Sequence, residues 1–243
     1  VRTLYGFAKE VLVPSRQTAE TLHWNKINTK TTVVRLGVNP NVFRPRRQED
    51  FDWIRKQKEK LGLRPYTKIV GYHGRLAPEK NITTLLRAGK RLRKHRENFA
   101  IVIIGDGTEK IRNRILSEPS AHHVPGKKDV APWVRLFDIF VSPSLTETTS
   151  LSTVEAMATG LPVVATPAGY IPHYIEDGEN GLLFDYEDSY LLSEQLKLLL
   201  NEPAKRESLG HAARKTAVEE FDWKVTAEAV TSVLKTYIDT ENT

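Results

Sequence analysis

Residues 142–166 read SPSLTETTSLSTVEAMATGLPVVAT. An apolar run of strand length, Ile139–Val141, enters this stretch and ends at Pro143, which cannot donate to a strand ladder. Leu151–Ala158 then reads as a helix, stopped by Gly160 and Pro162. Pro162–Ala165 is apolar and β-branched, so a second strand follows. The order is strand, loop, helix, strand. The second strand is apolar without alternation, as a strand buried on both faces must be.

The same alternation recurs on both sides. Lys68–Tyr72 reads as a strand and Ile82–His95 as a helix, with Ile82, Leu85, Leu86 and Leu92 at helical spacing on one side. Phe99–Ile104 is a strand, Thr108–Leu116 a helix and Val130–Phe137 a short helix. Beyond the opening stretch, Gly181–Phe184 is a strand and Ser189–Leu200 a long helix before Pro203. This pattern predicts an α/β fold with a doubly wound parallel sheet. In such sheets ligands bind beyond the carboxyl ends of the strands. The candidate segments are therefore Gly74–Lys80, Gly105–Gly107, Ser142–Glu147 and Thr166–Tyr170.

The two ends differ from the middle. Residues 1–40 read as a helix, a strand (Glu10–Val13), a helix (Thr18–Leu22) and a strand (Val33–Leu36), the tail of a preceding domain and a crossover. Residues 41–221 form the sheet domain. Residues 222–243 carry a terminal helix, Asp222–Tyr237, with Trp223, Val225, Ala229, Val230, Val233 and Leu234 available for packing.

Composition narrows the class. The chain has 243 residues, 40% hydrophobic and 27% charged, which is ordinary for a soluble globular protein with a sizeable core. No stretch approaches the ~18 apolar residues of a membrane span, and the first residues lack a signal pattern. There is no cysteine, which excludes disulfides and thiolate metal sites and fits a reducing compartment. The net charge of +6 points to an anionic partner. The positive charge is spread over Arg44–Arg47, Arg55–Lys60, Arg87–Arg96 and Lys127–Lys128, and each cluster also fits a solvated helix face.

Three groups of residues carry chemistry. Glu147 and Glu155 are separated by seven residues, the first in a loop after a strand, the second in the first turn of the next helix. The free N–H groups and positive dipole end of a helix N-terminus suit a diphosphate, and carboxylates beside it can accept hydrogen bonds from sugar or ribose hydroxyls. Glu155 also fits a purely structural capping box with Ser152, and Glu147 a solvated loop acid. Gly74, Arg75 and Lys80 follow the strand Ile69–His73; Arg can hold phosphate bidentately and Lys as a point charge, or both can be surface cations near Glu79. Gly105-Asp106-Gly107 follows another strand, where glycines allow a tight turn and close approach of a ligand. Lys110 stands where a dinucleotide fingerprint needs its third glycine.

In combination, GRLAPEKN (74–81), IIGDG (103–107), the opening stretch 142–166 and EDGENGLLF (176–184) resemble the retaining glycosyltransferases of family 4, which have the two-domain GT-B fold. LVPS (12–15) and RLGVNPNVFRP (35–45) are similar to that family's interdomain crossover. The resemblance implies a Rossmann-like domain, one half of a GT-B fold, with a C-terminal crossover helix packing back toward an N-terminal acceptor domain of roughly 100 to 200 residues upstream. It implies roles for single residues. Arg75 and Lys80 hold the donor's diphosphate, and Glu155 binds the ribose. Glu147 contacts the transferred sugar or the charge developing on it. Amides near Thr149, Ser150, Leu151 and Ser152 complete the phosphate site, and Gly74, Gly105 and Gly107 line the cleft. Base contacts come from the loop His123–Lys127. The partners implied are a nucleoside-diphosphate sugar and an acceptor lipid or glycan; the cations of residues 82–96 are compatible with an anionic membrane surface as well, so the expected location is cytoplasmic, free or peripheral on the inner face of a membrane. No cofactor or metal is implied; there is no D-x-D pair, and His122-His123 read as surface or loop residues.

The sequence departs from the family after the first Glu, with Thr148-Thr149-Ser150, and at Gly169-Tyr170-Ile171-Pro172-His173, where Gly-Gly-x-x-Glu is common. Both bear on the donor sugar. Rival readings are another GT-B enzyme, such as a nucleotide-sugar epimerase or a sugar phosphorylase, and a basic membrane-binding module resting on residues 82–96. A dinucleotide oxidoreductase is a more distant one. Nucleic acid is disfavoured because few aromatics interleave the cations. With the acceptor domain outside the chain, the expectation is nucleotide binding with little or no transfer.

Overall fold

The structure is a computed structural model that describes residues 7–27, 29–64, 67–94 and 98–241. The chain runs β1 (Glu10–Val13), α1 (Arg16–Trp24), β2 (Lys30–Val33), α2 (Phe51–Lys60), β3 (Lys68–His73), α3 (Ile82–Lys94), β4 (Phe99–Ile104), α4 (Glu109–Leu116) and β5 (Ala121–Val124). It continues through α5 (Ala131–Val134), β6 (Ile139–Ser142), α6 (Leu151–Ala158), β7 (Val163–Ala165), β8 (Leu182–Leu183), α7 (Ser189–Asn201), α8 (Pro203–Glu220) and α9 (Trp223–Glu241). The helix expected ahead of Glu10 falls largely on residues 1–6, outside the described residues.

Six strands form one parallel sheet in the order β5-β4-β3-β6-β7-β8. The chain builds outward from β3 to β5, then returns to the other side of β3 with β6. That reversal opens a crevice between the carboxyl ends of β3 and β6, where open α/β sheets bind ligands. Alternate residues of β4 enter different cores. Ile101 and Ile103 pack with Leu85 and Leu92 of α3 and Leu192 and Leu196 of α7. Val102 and Ile104 pack on the opposite face with Val154 and Met157 of α6 and Ala213 of α8. The sheet is thus doubly wound, as its unbroken apolar strands require. Each fully buried aliphatic side chain contributes roughly 1.5–3 kcal/mol.

Three elements go beyond the sequence pattern. In α2, FDWIRKQKEK, Ile54 is the one buried apolar residue. In β5, AHHV, the apolar residues stand only at the two ends; His122 and His123 lie in a strand rather than in a loop. In α8 the buried residues Leu209, Gly210, Ala213 and Ala217 are mostly small and give almost no apolar stripe. Pro203 opens this helix at its first turn, where the missing N–H costs nothing.

The cations at Arg44–Arg47 are less solvated than their composition implies. Arg44 pairs with Asp50 at 2.7 Å, and Asp50 also accepts from Arg135 at 3.1 Å. Arg46 donates to the carbonyls of Arg135, Leu136 and Phe137 and pairs with Asp138 at 3.0 Å. Asp138 in turn accepts from the Ile69 N–H at 2.8 Å. These bonds tie the segment before α2 to the underside of β3 and β6. At the chain's other end, α9 lies against the first residues. Tyr237 donates to Glu10 at 2.7 Å and Thr226 to the Arg35 carbonyl at 2.7 Å. Among the described residues, strands β1 and β2 pair only with each other, in parallel.

Candidate functional site

Two glycines bring the carboxyl ends of β3 and β4 together. Gly74 has φ +146° and Gly105 φ +152°, conformations that side chains resist. A Cβ on Gly105 would stand 1.8 Å from the Gly74 carbonyl oxygen. The Gly74 N–H donates to Ile104, and the Leu76 N–H to Asp106 at 2.8 Å. A Cβ on Gly107 would stand 2.4 Å from the Leu76 carbonyl oxygen, so its backbone needs the same closeness. Above this floor lies a cleft of about 430 Å³, bounded by His73, Arg75, Asp106, Lys127 and Glu155.

The loop after β6 brings the first carboxylate in. The Leu145 N–H donates to the Glu79 carbonyl at 2.7 Å, which holds this loop against the turn Pro78–Lys80. Lys80 Nζ then meets Glu147 Oε1 at 2.7 Å, and the Ser144 hydroxyl donates to the same oxygen at 2.7 Å. The Glu147 side chain is 9% exposed and that of Lys80 19%, so this is not a rim contact. Arg75 differs: its side chain is 74% exposed and pairs with Glu79 at 2.6 Å, on the edge of the cleft.

Residues that depart from the family pattern hold the loop. Gly169, at φ +57°, passes so close that a Cβ would stand 1.9 Å from the Glu147 carbonyl oxygen. The Tyr170 N–H donates to the Thr148 carbonyl at 2.8 Å, and the buried Tyr174 hydroxyl to that of Thr149 at 2.8 Å. Tyr170 and Tyr174 therefore clamp the backbone of residues 148–149, a role that spacing alone does not announce.

Ser150 precedes α6 in a left-handed conformation, φ +60°, with its hydroxyl 2.8 Å from that of Thr153. The Ser152–Glu155 capping box does not form: Ser152 is the second helical residue and Glu155 the fifth, so Glu155 stands in the second turn rather than the first. The N–H groups of Leu151 and Ser152 have no acceptor among the described residues, as expected of a first turn. Glu155 turns into the cleft, where its Oε2 lies 3.2 Å from His73 Nε2. Burial pushes the Glu155 carboxyl up to about 7 and the His73 imidazole down to about 4. His123 Nε2 lies 2.8 Å from the Gly105 carbonyl oxygen. In the loop that follows, the Gly126 N–H donates to Asp106 at 3.0 Å, and Lys127 sits 5.3 Å over the Trp133 ring. The sequence reading gave no role to His73 or Asp106; a polar residue at the carboxyl end of an apolar strand was the available signal.

The strand order and a cleft lined by charged groups at the reversal point define a Rossmann-like nucleotide-binding class of domain. Residues 54–216 match the family described as Glycosyl transferases group 1, and the chain belongs to that family. It is 30% identical, over 87% of its length and 48% of the relative's, to a D-inositol 3-phosphate glycosyltransferase from Streptomyces avermitilis. It is 31% identical, over 90% of its length and 41% of the relative's, to a sulfoquinovosyl transferase from Arabidopsis thaliana. Among solved structures, HepE of Anabaena in complex with UDP and glucose superposes with a TM-score of 0.83 at 23% identity, over 96% of this chain and 65% of that one. A sucrose-phosphate synthase from Thermosynechococcus elongatus gives 0.83 at 23% identity, over 98% and 61%. The fold is that of the GT-B glycosyltransferases, and the chain spans about half the length of the curated relatives it matches. No helix among the described residues is long and apolar enough to cross a membrane.

Proposed function

We propose that this chain is the donor-binding half of a retaining glycosyltransferase that takes a sugar from a nucleoside diphosphate. The observation that carries the reading is the half-buried Lys80–Glu147 pair beside the N–H groups of Leu151 and Ser152, which have no acceptor among the described residues. A cation, free amides and a helix dipole converge there, as a diphosphate requires. An arriving diphosphate competes for Lys80 and releases Glu147 toward the sugar hydroxyls or the positive charge that grows on the ring as the diphosphate leaves. Glu155, deeper in the cleft, accepts from the ribose. Arg75 swings from Glu79 to the outer phosphate. Thr149 and Ser150 shape the phosphate turn, while Gly74, Gly105 and Gly107 let backbone approach the nucleotide.

Residues 1–40 then belong to the acceptor-domain side and its crossover, residues 41–221 to the donor domain, and residues 222–243 to the returning helix. The Tyr237–Glu10 bond, which ties both ends together, supports that division. The test is thermal unfolding with UDP, GDP, ADP and their sugar conjugates, on the parent and on Glu155→Ala. A ligand at ~100 times its Kd adds about 2.7 kcal/mol. One base stabilising the parent but not the variant supports the reading. No response in this chain or in a version extended by the upstream domain defeats it.

A second reading concerns location. Arg87, Lys90, Arg91 and Lys94 recur at helical spacing on α3, and none has a carboxylate partner among the described residues. Arg91 sits 5.7 Å over the ring of Tyr190, which is 61% exposed. Unneutralised cations beside an exposed aromatic ring fit an anionic bilayer surface and a lipid-linked acceptor at the inner face. Reversing Arg91 and Lys94 to Glu should abolish pelleting with anionic vesicles; unchanged pelleting, or none by the parent, removes this reading.

A further inference from the structure

Strand β3 begins at Lys68 and ends at His73, roughly 16 Å apart at about 3.3 Å per residue. The candidate cleft lies at the His73 end. At the Lys68 end a second cavity, of about 410 Å³, opens between the amino ends of β3, β6 and β7 and the amino-terminal part of α8. Arg206, Gly210 and Arg214 recur every fourth residue of α8, so they share one face of that helix and form one wall. Lys68 lines the cavity from β3, and Arg46 from the segment before α2. Arg46 pairs with Asp138 at 3.0 Å. Among the described residues, Lys68, Arg206 and Arg214 have no carboxylate within ion-pair distance. Two of the four cations are fixed in place: Arg46 by its bonds under the sheet, Arg214 by donating to the carbonyls of Phe43 and Ala158. The other two keep hydrogens free. Arg206 uses only Nη1, for the Leu199 and Leu200 carbonyls, and Lys68 Nζ has no acceptor among the described residues. Burial first, and the Arg47 charge second, hold the Arg214 guanidinium below its ordinary value, which agrees with an excess of positive charge here.

We infer that this cavity is a second anion site, separate from the donor cleft, and that it takes the phosphate group of a small sugar or polyol phosphate. Four cations and two carboxylates, Asp138 and Glu207, line it, which leaves two positive charges. A phosphate monoester carries close to two negative charges above its second pKa of about 6, whereas a carboxylate or a sulfate ester carries one. Arg206 presents Nε and Nη2 as a planar fork, and Lys68 brings a point charge from the other wall. Fixed charges of one sign around a half-enclosed space raise the local concentration of an anion. An inorganic phosphate ion would fill only part of a space that holds roughly a dozen waters at ~30 Å³ each. Glu207 and His211 stand one turn apart on α8, both exposed, at the mouth of the cavity. A hydroxyl-bearing ester meets an acceptor and an imidazole there. The cavity shares no lining residue with the cleft, so the inference stands apart from the reading of the donor site.

The experiment is titration calorimetry of this chain at about pH 8, where the phosphate ester is a dianion, with glucose 6-phosphate, glucose 6-sulfate and inorganic phosphate. One glucose 6-phosphate should bind per chain. Glucose 6-sulfate, the same sugar with one charge fewer, should bind at least about tenfold more weakly, and inorganic phosphate more weakly than the sugar phosphate. Lys68→Met keeps the aliphatic stem and removes the charge; it should weaken glucose 6-phosphate at least about tenfold, as should Arg206→Glu. Arg91→Glu makes the same charge change on α3, outside this cavity, and should leave the affinity within about twofold, because a distant exposed charge is screened. A parent that binds glucose 6-phosphate with no Kd below about 10 mM overturns the inference. So does a sulfate ester or an inorganic phosphate that binds as tightly as the sugar phosphate. Affinity that survives Lys68→Met places the ligand elsewhere, and an equal loss in Arg91→Glu shows a general charge effect; either result also overturns it. The comparison of the two esters needs no variant, so a misfolded Arg206→Glu, whose side chain also holds the last carbonyls of α7, does not remove the test.

Discussion

At the scale of single residues, the candidate site contains two acids with different partners. Glu147 pairs with Lys80 at 2.7 Å, while Glu155 lies 3.2 Å from the buried ring of His73. The second arrangement has a stability cost. The folded-state value of about 7 lies above the ordinary 4.5, so the stability this acid contributes is present below its unfolded value and lost as pH rises through 7. Glu155→Gln is therefore expected to stabilise the chain by roughly 2 kcal/mol at pH 8.5 and hardly at all at pH 4. It should also remove the response to nucleotide. Denaturant unfolding at the two pH values checks the first part; equal stability of parent and variant at pH 8.5 contradicts it. Lys80→Ala leaves Glu147 without its cation at a site with little water, and should cost about 1–3 kcal/mol together with most of the diphosphate affinity. Both acids, both cations and the glycines stand out in the sequence because their types and order are informative. The clamp from Tyr170 and Tyr174 and the contact from His73 do not, since each depends on where strands and turns come together in space.

At the scale of elements, legibility followed apolar contrast. Strands β3, β4 and β6 and helices α3 and α6 were readable because β-branched runs and 3.6-residue spacing differ sharply from what surrounds them. Helix α8 packs through Gly210, Ala213 and Ala217, and the interface is close enough that a Cβ on Gly210 would stand 2.3 Å from the Gly160 carbonyl oxygen. Small residues that let backbones touch leave little hydrophobic signal. Two charged residues do similar work under the sheet. Asp138 joins β3 to β6 by accepting from Ile69 and pairing with Arg46, and its side chain is 9% exposed. Asp138→Ala leaves the Ile69 N–H without its acceptor and takes one of several acceptors from the Arg46 guanidinium, so it should lower stability by about 1–3 kcal/mol. A loss below about 1 kcal/mol in urea unfolding would show that water replaces both bonds. Because the pin sits at the amino ends of the strands, nucleotide affinity at a temperature where the variant is folded should be unchanged.

At the scale of the whole molecule, the sheet domain is closed on itself while its two ends are not. Among the described residues strands β1 and β2 pair only with each other, and α9 lies against them with apolar side chains exposed. Val33 and Leu36 are 44% and 39% exposed, and Val225 and Leu234 54% and 56%. Large apolar residues gathered at one end of a domain mark a surface that another body covers. The resemblance of the motif order implies an acceptor domain upstream, and the exposed apolar end supports that proposal from packing. Charge substitutions there separate the two roles of the chain. Val225→Glu with Leu234→Glu should leave the nucleotide response of this chain intact, because the side-chain partners of Glu155 and Lys80 lie on β3 and in the loop after β6 and not on α9. The same pair placed in a version extended by the upstream domain should reduce glycosyl transfer at least tenfold, since the acceptor would no longer be held against the donor's anomeric carbon. Transfer assays and calorimetry on the same preparations decide the matter. Equal loss of donor binding and transfer would mean that α9 supports the donor site itself, and undiminished transfer would mean that the exposed end is not where the two halves meet.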